Sequence, residues 1–356
     1  MKLGMVGLPN SGKSTLFNAL TESMAASGNY PFSTVDKNVG IVSVPDGRLD
    51  VLQKIYDSKK VTHATIEFVD IAGLVRGSGG GAGLGNKFLA HIREMDGLVH
   101  VVRCFDDENI LHVDGDINPV RDIETINLEL IFADLEVVAK RLERIKQENK
   151  SGKGGREEMT LLERLMAHLE EENPAITLAT TENERQILAH MGLLTNKPMI
   201  FVANVGETDT AGNEYTAKMG TFVTRMHIVS AKLEEDLVGL DDDQKREFLA
   251  DLNINRSGLE QVTAAGYRSL NLMSFLTTGP RESRAWTIPI GTKAVNAAGK
   301  IHSDIERGFI RAEVFNFDDL AAKGSYNACK EAGLVRLEGK EYIVTEGDVI
   351  LFRFNV

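Results

Sequence analysis

The sequence predicts an α/β protein built on a doubly wound, mostly parallel sheet. Short apolar runs read as strands at Leu3 to Val6, Ile66 to Val69, Leu98 to Val102 and Met199 to Ala203, and again at Ile228 and Val229. Helical stretches separate them, as a parallel sheet with crossover helices requires. A glycine-rich turn stands between the first strand and a helix that begins near Ser14.

That turn, Gly7-Leu8-Pro9-Asn10-Ser11-Gly12-Lys13-Ser14, matches G-x-x-x-x-G-K-[ST]. Its glycines let backbone N–H groups turn inward around phosphate oxygens, and the helix N-terminus adds a favourable dipole. Lys13 is placed to reach the β and γ phosphates, and Ser14 to hold Mg²⁺ through its hydroxyl. Asn10 is a candidate for positioning a monovalent cation such as K⁺ beside the phosphates, or for stabilising its own turn. Next along the chain, Thr34 in Tyr30-Pro31-Phe32-Ser33-Thr34 is the natural switch threonine for Mg²⁺, with Ser33 the competing donor.

The strand at Ile66 ends in Asp70-Ile71-Ala72-Gly73, a D-x-x-G element. Asp70 there can bind Mg²⁺ through water, and the Gly73 N–H can sense the γ phosphate. Leu74 follows where many GTPases carry a water-orienting glutamine, so intrinsic turnover is expected to be slow. The run from Arg76 to Asn86, rich in glycine, has little intrinsic order and suits a switch segment. Farther on, Leu128, Ile131, Leu135, Val138, Leu142 and Ile145 form a heptad seam, broken by the polar stretch Lys150 to Arg156. Leu161, Leu162, Leu165 and Leu169 continue in a second helix, and the pair predicts a helical coiled-coil arm inserted into the nucleotide-binding domain.

The strand from Met199 runs into Asn204-Val205-Gly206-Glu207. Guanine readers carry Asn-Lys-x-Asp at this point. Here glutamate is one methylene longer and valine replaces the lysine stem, changes that weaken the guanine reading and favour ATP. Ser230-Ala231-Lys232 resembles the S-A-K element that borders the base. Beyond Thr278 the chain becomes β-rich. Trp286 to Ile288, Phe309 to Val314, Tyr342 to Val344 and Val349 to Phe354 read as strands of a small mixed domain that follows Gly279-Pro280.

Bulk properties bound the function. With 356 residues the chain has room for two or three domains, and the formal net charge of -12 argues against wrapping nucleic acid. A DNA partner is therefore not expected, while docking on RNA through a local basic patch stays open. Cys104 and Cys329 show no CxxC spacing and read as reduced thiols of a cytoplasmic protein. No apolar stretch is long enough for a membrane span, and the apolar amino end is too short for a signal peptide.

The motifs together resemble the YchF subfamily of Obg-like ATPases. Specific stretches are Phe68 to Val75, Gly83 to Leu89, His100 to Phe105, Arg121 to Asn127, Arg284 to Thr287, Glu306 to Val314 and Phe352 to Val356. The resemblance implies a P-loop NTPase G domain (1–127 and 196–277) interrupted by the coiled-coil arm (128–195) and followed by a β-grasp TGS domain (278–356). It implies ATP hydrolysis and association with the ribosome. The large subunit is the expected docking partner, through basic residues of the arm or of the last domain. It places the nucleotide loop on Asn10, Ser11, Gly12, Lys13, Ser14 and Thr15, Mg²⁺ ligation on Ser14 and Thr34, and base recognition on Asn204, Val205 and Glu207. Ser11 stands where the family usually has valine, Lys37 where it has proline, and Ala82 where it has glutamate. A GTPase assembly factor is the competing reading, and a small-molecule kinase a third.

Overall fold

The computed structural model describes residues 1–26, 38–71, 83–150, 155–252, 254 and 256–355. The strands are β1 (Lys2–Val6), β2 (Val39–Ser43), β3 (Val61–Thr62), β4 (Thr65–Asp70), β5 (Gly97–Arg103) and β6 (Met199–Asn204). They continue with β7 (Met226–Val229), β8 (Leu272–Thr277), β9 (Ser283–Pro289), β10 (Phe309–Asn316), β11 (Arg336–Glu338) and β12 (Asp348–Phe354). The helices of the first part are α1 (Lys13–Ala26), α2 (Arg48–Tyr56), α3 (Gly83–Arg93), α4 (Pro119–Lys150) and α5 (Arg156–Glu170). Next come α6 (Glu182–Ala189), α7 (Glu214–Phe222), α8 (Ala231–Asp236), α9 (Asp242–Asp251) and α10 (Gly258–Ser269). The last are α11 (Ala294–Ile301), α12 (Ser303–Arg307), α13 (Phe317–Lys323) and α14 (Tyr326–Glu331).

Among the described residues, 1–26, 38–40 and 67–262 form one compact unit, and 41–66 with 263–355 form a second. The first is built on a sheet of order β2-β4-β1-β5-β6-β7. The pairs β1–β4, β1–β5, β5–β6 and β6–β7 are all parallel. Every residue of the central strand β5 is buried, as expected of a parallel strand covered on both faces. Burial holds the imidazole of His100 in that strand neutral, its pKa lowered to about 3. Chain direction within this sheet places the carboxyl ends of β4, β1, β5, β6 and β7 along one edge, and β1 is the switch point of the strand order.

One helix serves two cores. Ile126, Leu130 and Ala133 of α4 pack with Val6, Phe88, Ile92 and Leu98 beside the sheet. Farther along, Ile131, Val138, Leu142 and Ile145 meet Leu161, Leu162, Leu165 and Leu169 of α5. The 32 residues of α4 extend for about 48 Å at ~1.5 Å per residue, so the far end leaves the sheet and needs α5 to cover its apolar seam. Asp134 anchors the departure point: its buried carboxylate accepts from the Leu194 N–H (2.7 Å), the Thr195 N–H (2.8 Å) and the Thr195 hydroxyl (2.6 Å). Three cations of the arm face acids. Arg141 meets Glu158 at 2.6 Å, Arg144 meets Glu148 at 2.8 Å and Lys146 meets Glu163 at 3.7 Å.

The second unit carries a sheet of order β11-β10-β12-β8-β9-β3, with α11 packed on it through Ala294, Ala297 and Ala298. Pairs β10–β12 and β8–β9 are antiparallel, while β12–β8 and β3–β9 are parallel. This is the β-grasp arrangement of a mixed sheet with one crossing helix. Two details depart from the sequence reading. Tyr342 to Val344 is not a strand but a single bridge from Ile343 to Lys293. The Thr345 N–H and the Tyr342 hydroxyl both donate to the Asp348 carboxylate, at 2.9 and 2.8 Å, which folds that stretch into a turn. Residues 83–86, read as the end of a flexible loop, form the first turn of α3 instead. The segment 41–66 also joins this unit. The Ser58 hydroxyl donates to the Gly279 carbonyl at 2.7 Å and lies 2.8 Å from the Ser283 hydroxyl.

Candidate nucleotide site

The loop between β1 and α1 sits at the switch point of the first sheet. Asn10 and Gly12 hold it in shape with φ angles of 64° and 85°, a region that costs glycine nothing and asparagine little. A Cβ on Gly12 would fall 2.0 Å from the Asn204 side-chain nitrogen, so both the angle and the space demand glycine. Lys13 opens α1, and its amine is in ion-pair contact with Asp70 at the end of β4. The Ser14 hydroxyl donates to the other Asp70 oxygen at 3.3 Å. Lys13 is buried, Ser14 exposed and Thr15 half-buried.

The donor set suits Mg²⁺. Ser14 Oγ and Asp70 Oδ2 are hard oxygens 3.3 Å apart, a donor set in which Ser14 would bind the ion directly and Asp70 through a water. The third expected ligand, Thr34, lies outside the described residues, as do Ser33, Lys37, Gly73, Leu74 and the glycine-rich stretch from Arg76 to Ala82.

Ser11 is buried with its side chain turned away from the loop mouth. A Cβ on Gly7 would meet its hydroxyl at 2.7 Å and the Val101 carbonyl at 2.6 Å, which puts the hydroxyl on the sheet side of the turn.

Asn204 joins the two halves of the site. It ends β6, is almost wholly buried, and donates from Nδ2 to the Ser11 carbonyl at 2.9 Å. Its Oδ1 accepts from the Ala231 N–H at 2.9 Å. One side chain thus ties the phosphate loop to the Ser230-Ala231 element after β7. Val205 is buried and its N–H donates to the Val229 carbonyl at 2.9 Å, while Glu207 is exposed at the mouth of the loop. Ser230 is buried and caps α8, accepting from the Leu233 N–H at 3.4 Å.

A further wall was not foreseen from sequence. The segment after β5 enters the site because Arg103 pairs with Asn204 in the sheet and the Cys104 N–H donates to the Asn204 carbonyl at 2.8 Å. The same segment returns at Leu111, whose carbonyl accepts from Asn10 Nδ2 at 2.9 Å. Beyond it, His112 Nδ1 accepts from the Asp114 N–H at 3.1 Å, so Nε2 carries the proton it gives to Asp122 at 2.9 Å. Its only signal in the sequence was a strand ending at the same edge as Asp70 and Asn204.

Comparison with known proteins places this geometry. A family model described as "50S ribosome-binding GTPase" matches residues 2–205, and the YchF-GTPase_C model, described as "Protein of unknown function (DUF933)", matches residues 272–355. The ribosome-binding ATPase YchF of Bacillus subtilis is 50% identical over 361 residues, covering 99% of each chain. That of Escherichia coli O157:H7 is 45% identical over 363 residues, covering 100% of this chain and 99% of its own. A solved structure titled as the YchF GTPase of Schizosaccharomyces pombe superposes with a TM-score of 0.90 at 37% identity, over 99% of this chain and 97% of that one.

Proposed function

The chain belongs to the YchF family of ribosome-binding P-loop ATPases, and from that premise we propose how its residues divide the work. It binds and hydrolyses ATP, and it associates with the ribosome. Lys13 and the backbone N–H groups of Asn10 to Thr15 take the phosphates. Ser14, Thr34 and Asp70 hold Mg²⁺, which supplies charge neutralisation on the transferring phosphoryl group. Gly73 senses the γ phosphate. With ATP bound, Lys13 would leave Asp70 for the phosphates, and Asp70 would be free to help hold Mg²⁺. The exchange keeps each charge paired, and so limits the desolvation cost.

Of the base motif Asn204, Val205 and Glu207, the last two read adenine, Asn204 holds their loop against the phosphate loop, and Ser230 borders the base. The observation that carries this reading is Asn204: both polar ends of its side chain are spent inside the protein, on Ser11 and Ala231. Discrimination is left to Val205 and the exposed Glu207, and the lysine stem and aspartate of a guanine reader are missing. Asn10 positions K⁺ beside the phosphates. The protein works in the cytoplasm and docks on the large ribosomal subunit in its nucleotide-bound form, through the arm and the β-grasp domain. RNA contact is assigned to exposed cations of the arm and of the last domain, Arg281, Lys300, Arg307 and Arg311 among the latter.

Competition binding of ATP and GTP in Mg²⁺ buffer tests the base assignment, with the Val205→Lys, Glu207→Asp double variant expected to move preference toward GTP. A wild-type protein that prefers GTP refutes it. Pelleting with ribosomes, with and without a nonhydrolysable ATP analogue, tests the docking. Binding indifferent to nucleotide and to charge reversal at Arg307 and Arg311 counts against it.

A further inference from the structure

Arg103 is a charge where a parallel sheet has no obvious use for one. It is the last residue of β5 and only 2% exposed. Burying a guanidinium is costly unless its donors are used, and burial pulls this one's pKa down. The donors are spent on the backbone that follows. Nε donates to the Phe105 carbonyl at 3.1 Å and Nη2 to the Asp107 carbonyl at 3.4 Å. The guanidinium also lies over the Phe105 ring, 4.6 Å from its centre. Nη1 is buried with no partner among the described residues.

The neighbouring elements close on the same few residues. From the start of α7, Asn213 Nδ2 donates to the Cys104 carbonyl at 2.7 Å, and the Tyr215 hydroxyl donates to Asp106 at 2.6 Å. The negative charges of Asp107, Asp106 and Asp122 offset part of the cost of its burial. This stapled segment begins at Cys104, bonded to Asn204 at the base loop, and ends at Leu111, bonded to Asn10 in the phosphate loop.

We propose that Arg103 is a positioning residue for nucleotide binding, which folds the 105–111 segment into a brace between the base loop and the phosphate loop. The inference rests on the ATP reading of the site and adds a residue to it. Arg103 does not touch the reacting groups, so its loss weakens the fit of ATP and ADP alike and leaves the chemical step unchanged. A lysine restores the charge and one donor, but not the two-pronged fork or the flat face over Phe105.

The test measures Kd for a fluorescent ATP analogue and for ADP, together with kcat at saturating ATP, for wild type, Arg103→Met and Arg103→Lys. Arg103→Met is expected to raise both Kd values about tenfold (about 1.4 kcal/mol). Arg103→Lys is expected to raise them about threefold, with kcat within about twofold of wild type in both variants. If Arg103→Met shows no cooperative melting transition, Arg103→Lys is judged by the same criteria. Kd values within about twofold of wild type, or a fall in kcat at unchanged Kd, overturn the proposal. A wild-type protein that binds neither nucleotide overturns the ATP reading itself, which separates the two failures.

Discussion

Asn204→Ala is the substitution that the structure makes most informative. It deletes both bonds of the side chain and leaves the Ser11 carbonyl and the Ala231 N–H buried without a partner. Each orphaned group costs about 1–3 kcal/mol, so the pair costs about 2–6 kcal/mol. For a unit of this size, each kcal/mol lowers Tm by about 2–4 °C, so melting should fall by roughly 4–24 °C. The phosphate loop and the Ser230 element also lose their common tie, and ATP affinity should fall by about tenfold or more. Asn204→Asp separates the contributions. It keeps the acceptor for Ala231 and turns an oxygen toward the Ser11 carbonyl, so it should weaken ATP binding while preserving the Ala231 bond. Differential scanning calorimetry and equilibrium nucleotide binding read both effects. Unchanged melting and ATP affinity in Asn204→Ala would falsify the bridging role.

Three further outcomes are expected. Gly12→Ala places a methyl group 2.0 Å from Asn204 Nδ2 at a φ of 85°, and should lower ATP affinity at least about a hundredfold; titration calorimetry measures it. Asp134→Ala removes three buried hydrogen bonds from the foot of the arm and should destabilise the protein by about 3 kcal/mol or more in urea unfolding. Glu234 is a buried carboxyl of α8 that accepts from the Gly258 N–H at the start of α10 at 2.5 Å, and burial raises its pKa to about 7 from an ordinary 4.5. The folded state therefore holds the proton more tightly than the unfolded chain. The stabilisation is complete below about pH 4.5 and lost as pH rises through 7, on the order of 3 kcal/mol in all. Glu234→Gln should flatten that part of the stability profile and melt higher than wild type at pH 8. An unchanged profile would mean that the carboxyl is not kept from solvent.

Much was legible in the amino-acid sequence because the signals are local. A strand, a glycine turn and a helix start within one short stretch specify the phosphate loop, since its backbone angles and donors come from adjacent residues. The heptad seam of α4 and α5 follows from side-chain periodicity, and so does the placement of apolar runs in a parallel sheet. The last sheet was harder to read. The strand β11 and the bridge at Ile343 depend on which edge is available and on the Asp348 carboxylate, neither of which a linear pattern encodes.

Only the tertiary structure decided how the site closes. Strand order brings Asp70, Asn204 and Ser230 to one edge, and sequence distance says nothing about that order. The inward turn of Ser11, the double duty of Asn204 and the stapling of Phe105 and Asp107 by Arg103 arise from contacts between residues far apart in the chain. Local propensity fixes which backbone shapes are cheap. Which polar atoms must then find each other once water is excluded is settled by packing.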